Sequence, residues 1–555
     1  MKQSPTVTLC QGHPRFKDTD LHALAARDGN ETAWVAAFER YGNAAPAHVE
    51  NNFAIGLRLA SGGTFIAIDR FAIQTLCYRT SGNDLIVAPR ADEVAAAQSE
   101  LDPQAIFDYL YFHMIPSPRT IFRGVYRLPP GHYALLESGK LTVAPYWVPS
   151  FQEGTGESVK SLRDEFVSLV RDSVQRRIEE GRTGCYLSGG TDSSTVSGMV
   201  TQITGRPAET YSIGFDVAGY DEMHYARIAA QHFGTNHHEY YVTPDDLVQG
   251  MPKVAASYDQ PFGNSSAVPA YYCALRAKEA GIDKLLAGDG GDELFGGNTR
   301  YAKQRVFGIY DHLPSALRRG LIEPSLVDSG LFDRVPLLKK GASYVRQARV
   351  PMPDRMQTYN LLLRMGLDDI FPADLMTRIG SNEPARHQRE VYAECPASAS
   401  LVNKMLAYDW RYTLAESDLP KVIGSARLAG VDVGFPFLDD ELLEFSVRLP
   451  TSYKVKGLKL RWFFKEALRD FLPAEIIAKK KHGFGLPFGT WAVAYAPLNK
   501  LATEALHGLA DRGMVRRPFI DALLGQHLPA HPGFYGELVW VMTMLELWLK
   551  AHLRR

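Results

Sequence analysis

Seven consecutive residues, Ser188-Gly189-Gly190-Thr191-Asp192-Ser193-Ser194, combine hydroxyls, glycines and one acid in an order that suits a polyphosphate. The run before them, Thr183-Gly184-Cys185-Tyr186-Leu187, reads as a short strand, and a helix is expected from about Ser193. Such a loop aims successive backbone N–H groups and a helix N-terminus at one anion. The Ser188 and Ser193 hydroxyls can donate to phosphate oxygens. Asp192 repels phosphate, so its sensible role is to hold a Mg²⁺ that bridges phosphates. The pattern SGGxDS is not the Walker loop GxxxxGK[ST], which occurs nowhere in the chain. A second run, Gly288-Asp289-Gly290-Gly291-Asp292-Glu293-Leu294-Phe295-Gly296-Gly297, packs three carboxylates among five glycines. Asp292 is expected opposite Asp192 as a second Mg²⁺ ligand, and Asp289 is expected to face the reacting acyl group. A third run, Lys479-Lys480-Lys481-His482-Gly483-Phe484-Gly485, offers a lysine to the charge that builds on departing pyrophosphate.

The elements that must position these runs are legible in outline. Residues 1 to about 148 read as mostly β. Phe53–Leu57 and Thr64–Ile68 form a hairpin around Gly62-Gly63, Asp84–Ala88 is a further strand, and Glu137–Lys140 turns a second hairpin. Residues 149–160 suit a linker. Beyond it Leu162, Phe166, Leu169, Val170 and Val174 fall at helical spacing. Strands then alternate with helices: Tyr211–Phe215 is a strand, a helix carries Tyr225, Ile228 and Ala229, another runs from about Pro269 to Ala280, and Lys284–Ala287 is the strand before the acidic run. This alternation predicts a parallel sheet covered on both faces, an α/β fold, with helices over 300–410 and towards the end. His237-His238 point to opposite sides of a strand and are expected to be structural.

Taken together, SGGTDSS at 188–194, YSIGF at 211–215, DQP at 259–261, GDGGDELFGG at 288–297, PFLD at 436–439 and KKKHGF at 479–484 resemble the synthetase domain of the asparagine synthetase family. The likeness covers roughly 160–500, with a weaker match at 34–148. It implies an ATP-pyrophosphatase fold in 161–555 behind a degenerate glutaminase-like domain in 1–148. It also implies Leu187, Ser188, Gly189, Gly190, Ser193, Ser194, Ile213 and Gly288 at ATP, Asp192 and Asp292 at Mg²⁺, and Lys481 at the α-phosphate and pyrophosphate. The implied reaction adenylates a carboxylate, and an amine then displaces AMP.

Three departures bear on this. The glutamine-dependent members carry Cys directly after Met, whereas position 2 here is Lys2 and Cys10 is internal. The family's glutamine-binding Asn-Gly-Glu segment is also missing, so no glutaminase activity is expected. Where the family has Glu-x-Arg-x-Pro-Phe-Leu-Asp, this chain keeps a carboxylate as Asp432 but places Gly434 at the arginine. After Lys421-Val422 it has Ile423 instead of aspartate. Both changes put free aspartate in doubt and point to an altered acceptor pocket. Asp289 and Asp432 are the candidates for general base.

Composition bounds the rest. The 555 residues carry a formal net charge of −1, with 45% hydrophobic and 22% charged side chains. No basic field favours nucleic acid, and no apolar run is long enough to span a membrane. Five scattered cysteines without a CxxC pair suit a reducing compartment, and a cytoplasmic enzyme is expected. Its partners would be a small-molecule or peptide carboxylate and ammonia or a substrate amine, with the oligomeric state left open, a homodimer included. Two alternatives stand beside the asparagine-synthetase-type ligase. One is an intramolecular cyclase of the lactam-synthetase or lasso-peptide kind. The other is a non-catalytic ATP-binding scaffold.

Overall fold

The computed structural model describes residues 4–96, 99–154, 156–178, 182–311, 313–324, 336–480 and 485–553. Two five-stranded sheets organise it. The first is antiparallel, in the order β1 (Thr6–Gly12), β2 (Phe53–Arg58), β3 (Thr64–Ile68), β4 (His132–Glu137), β5 (Lys140–Pro145). The expected hairpins are present, with Arg58 facing Thr64 and Glu137 facing Lys140. Alternation along β2 and β3 splits their side chains between two cores. Phe53, Ile55, Leu57 and Phe65 pack with Trp34, while Ala54, Ile66 and Ile68 pack with Leu76. Residues 1–148 are less uniformly β than expected, because helices at Thr19–Asp28, Asn30–Tyr41 and Pro103–Phe112 belong to the same segment. Asn30–Tyr41 buries Ala33, Trp34 and Ala37, one helical turn of small and aromatic residues among polar ones.

The second sheet is wholly parallel. It contains β6 (Thr183–Tyr186), β7 (Glu209–Gly214), β8 (Asn236–Tyr241), β9 (Lys284–Leu286) and β10 (Asp432–Gly434), in the order β8-β7-β6-β9-β10. Helix α1 (Val159–Arg177) precedes it, N-capped by the Ser158 side chain and burying Leu162, Phe166, Val170 and Val174. Helix α2 (Thr191–Thr204) connects β6 to β7, and α3 (Met223–Phe233) connects β7 to β8. The order reverses between β6 and β9, so the loops after these two neighbouring strands flank a crevice at the switch point of the sheet. His237 and His238 lie in β8, paired with Thr210 (3.0 Å) and Glu209 (2.9 Å). Residues beyond 300 are mostly helical, as expected, and Trp410–Asp418 is wound as a π-helix. Among the described residues no helix is long and apolar enough to cross a membrane.

Buried polar contacts lock the two sheets' surroundings together. Asp259 accepts from Arg127 (2.6 Å) and from the Ala91 N–H (2.8 Å), and Gln260 accepts from the Ile121 N–H (3.3 Å). Asp440 receives Arg70 and the Asn51 N–H. Within the N-terminal part itself, Asp69 accepts backbone N–H groups from Phe53, Phe71, Ile73 and Gln74. The DQP segment and Asp440, the residue after PFLD, therefore anchor the N-terminal part, whereas Asp439 of PFLD pairs with Arg176 and Arg177 of α1, and neither segment lines the crevice.

Candidate active site

Strands β6 and β9 deliver SGGxDS and GDGGDE to one cavity of about 350 Å³. Of the expected residues, Leu187, Ser188, Asp192, Ser193, Ile213, Gly288, Asp289 and Asp292 line it. In the phosphate loop the Ser193 hydroxyl accepts from the Ser188 N–H at 3.1 Å and lies 3.0 Å from the Ser188 hydroxyl. Gly190 begins α2 without a side-chain cap, which leaves the first-turn N–H groups open to an anion. Gly189 has φ 67°, and a Cβ there would fall 2.4 Å from the Ala226 nitrogen, so the turn admits only glycine. Gly189 and Gly190 shape the loop without forming its wall. Ser194 corrects the expectation of an ATP contact. One residue beyond Ser193 is a rotation of about 100° on a helix, and Ser194 is fully buried with its hydroxyl unpartnered.

The opposite wall holds an ionic group that sequence reasoning left unassigned. The Lys421 ammonium lies 3.6 Å from Asp289 and 3.2 Å from Asp418. Burial pushes the Asp289 carboxyl up, and Lys421 pulls it partly back. Burial, then Asp418 and Asp409, push Glu293 up to about 8. The Lys421 amine is itself held above its ordinary value, its carboxylate neighbours outweighing burial. On the phosphate side, Arg461 binds both Asp192 and Asp292. Neither Lys421 nor Arg461 stands in a run that signals a cation site. Only the need to balance several half-buried aspartates points to them.

Asp432 is not brought to this cavity. It opens β10 opposite Lys284, whereas the active loops leave the far ends of the strands. From Lys284 to Asp289 is five residues, a span of roughly 15 Å if extended. Strand direction thus removes Asp432 from the expected general-base role. Asp432 lines a separate cavity of about 620 Å³ at the junction of the two sheets, with His13, Gln74, Ile423 and Gly434. The space beside Gly434 is filled by Leu286 and Arg177. The Gly434 and Ile423 departures therefore alter this junction and leave the ATP-side wall intact, while Lys421 and Val422 face the ATP cavity. Lys481 lies outside the described residues. Lys479, first of the basic run, reaches Glu222 (3.1 Å) and the Gly189 carbonyl (3.4 Å). Cys10 sits within β1 opposite Ile55, and burial, then Glu31, push its thiol up.

A phosphate loop facing a carboxylate-rich loop at the switch point of a parallel sheet defines a PP-loop synthetase. The Asparagine synthase family model matches residues 165–550, and the Glutamine amidotransferase domain model matches 21–147. The chain belongs to the asparagine synthase family, and it is an ATP-dependent, amide-forming carbon–nitrogen ligase. Asparagine synthetase [glutamine-hydrolyzing] 1 of Bacillus subtilis is 24% identical over 502 residues, 88% of this chain and 75% of that protein. A putative asparagine synthetase [glutamine-hydrolyzing] of Mycobacterium tuberculosis is 26% identical over 550 residues, 96% and 81% of the two chains. Amidase chry2 of Gibberella zeae is 23% identical over 512 residues, 85% and 74%.

Proposed function

We propose that the enzyme adenylates a carboxylate, aspartate or a related acid, with Mg·ATP, and that an amine then displaces AMP without glutamine hydrolysis by its own N-terminal part. The observation that carries this reading is the meeting, in one cavity, of the phosphate loop with the Asp289–Lys421 pair. Ser188, Ser193 and the first-turn N–H groups of α2 receive the polyphosphate, while Leu187, Ile213 and Gly288 border the nucleoside. Asp192 and Asp292 suit a metal, because they already converge on one cationic group, the Arg461 guanidinium. A bound Mg²⁺ would offset polyphosphate charge there. A carboxylate oxygen attacks the α-phosphorus and pyrophosphate leaves. The amine nitrogen attacks the acyl carbon, its proton passes to a base, and AMP departs. Asp289, half-buried on the cavity wall and raised, is the base we assign. In the domain division we propose, 1–148 and 161–555 are joined by 149–160. Cys10 is a half-buried strand thiol of raised pKa and a poor nucleophile.

A second reading, an intramolecular cyclase, is favoured by a cavity of about 470 Å³ lined by Tyr111, Phe112, Tyr408, Tyr412 and Phe534. It adjoins the π-helical segment whose Asp418 faces the ATP cavity while Thr413 and Ser417 face this one. π-Helical turns recur at functional sites, and this space suits an acid much larger than aspartate. A pyrophosphate-release assay with ATP and Mg²⁺ separates the readings. Release that needs aspartate and ammonia supports the first. Release on an acid-bearing peptide without ammonia supports the cyclase. Silence with every acid, despite ATP binding, leaves the scaffold.

A further inference from the structure

Arg461 occupies the place between the two aspartates. It has a left-handed backbone (φ 53°, ψ 36°) at the start of α4 (Trp462–Ala467), a conformation non-glycine residues adopt rarely. Its Nη1 donates to the Thr191 hydroxyl (2.9 Å), to Asp192 Oδ2 (2.6 Å) and to Asp292 Oδ1 (2.9 Å), and its Nη2 donates to Asp192 Oδ1. The guanidinium stacks 3.7 Å from the Phe464 ring centroid. Two glycines clear the space. A Cβ at Gly291 would lie 2.0 Å from Asp192 Oδ1, and one at Gly297 would lie 1.7 Å from Asp292 Oδ1. Lys465, one turn on, donates to the Ile477 carbonyl instead. Among the described residues no group of three or more acidic, histidine or cysteine side chains is placed to hold a metal. Mg²⁺ takes six oxygens and is typically held by one or two carboxylates together with water and substrate phosphates, so this carboxylate pair supplies only part of its shell.

We infer that Arg461 makes metal uptake conditional on nucleotide, serving as counter-ion of Asp192 and Asp292 until a metal arrives with phosphate oxygens. This rests on the reading of those aspartates as metal ligands. A bare ion would have to displace a guanidinium bound to both oxygens of Asp192, in exchange for two carboxylates. A metal–nucleotide complex brings the missing ligands and meets the phosphate loop at the same time. Arg461 is thus a positioning residue for the adenylation step.

The test is Mn²⁺ binding to the full chain, by electron paramagnetic resonance, with and without α,β-methylene-ATP. Wild type should take up Mn²⁺ with the analogue and only weakly without it. Arg461→Met, relieved of a unit charge at the site, should bind Mn²⁺ alone on the order of tenfold more tightly than wild type, and Arg461→Lys should follow wild type. Equal Mn²⁺ affinity of wild type with and without the analogue overturns the inference, as does a folded Arg461→Met that gains nothing. Wild type and Arg461→Lys decide the matter if Arg461→Met does not fold. Asp292→Asn tests the underlying assignment. Loss of analogue-dependent Mn²⁺ uptake supports it, and undiminished uptake removes it together with the inference.

Discussion

Asp192 and Lys421 are the residues on which the two walls of the cavity turn. Asp192→Ala is expected to lower pyrophosphate release by more than about 100-fold, since even indirect partners of a metal ligand cost 10–100-fold. A variant retaining half of wild-type release would take the metal away from Asp192. Lys421→Met should act through pH. Burial raises the Asp289 carboxyl and Lys421 lowers it, so losing the ammonium raises it further. The acidic limb of kcat/KM should then move to higher pH, by roughly 1–3 units for an opposite charge at this range. A limb that stays in place means that another group titrates. At this scale the sequence was informative where chemistry is contiguous. SGGxDS and GDGGDE gave eight cavity residues because glycine and acid stand side by side in each run. It was blind to Lys421 and Arg461, which come from segments more than a hundred residues away, and it misplaced Asp432 because a motif does not say which end of a strand faces the ligand.

Among the elements, the loop after β9 is the least tolerant of added atoms. Gly297→Ala should collide with Asp292 and Arg461, costing about 1–3 kcal/mol as overpacking does and lowering release with it. A denaturant midpoint indistinguishable from wild type would contradict that geometry. Helix α1 contributes differently. Phe166 meets Phe295, Phe463 and Phe464 at centroid distances of 5.1, 5.8 and 5.4 Å. Phe166→Ala should therefore cost about 3–5 kcal/mol, read from the same denaturation curve, without a specific loss of ATP affinity. The period of 3.6 made α1 readable, and alternation with short apolar strands made the parallel sheet readable. The helices at Thr19–Asp28 and Asn30–Tyr41 escaped because their buried faces are small, alanine-rich and cut by polar residues.

For the whole molecule, the decisive contacts join the halves. Arg127 and Asp259 are both largely buried, and removing one partner of such a pair costs about 3–5 kcal/mol. Burial raises the Asp259 carboxyl, but Arg127 and the Ala91 N–H outweigh it and hold it below its ordinary range. The pair's stabilisation is therefore present above that range and fades as pH falls through the lowered value. Arg127→Ala should weaken the protein at neutral pH and flatten its loss of stability in acid, as thermal melts across pH would record. A melt as acid-sensitive as wild type would assign the acid response elsewhere. The same anchoring constrains how such a chain can change over generations. Asp259 of DQP and Asp440, just after PFLD, direct their charges into the N-terminal part, so a lineage with no use for glutamine cannot shed that part without stranding both. The domain can drift in chemistry but not in presence, a one-way ratchet built from two ion pairs.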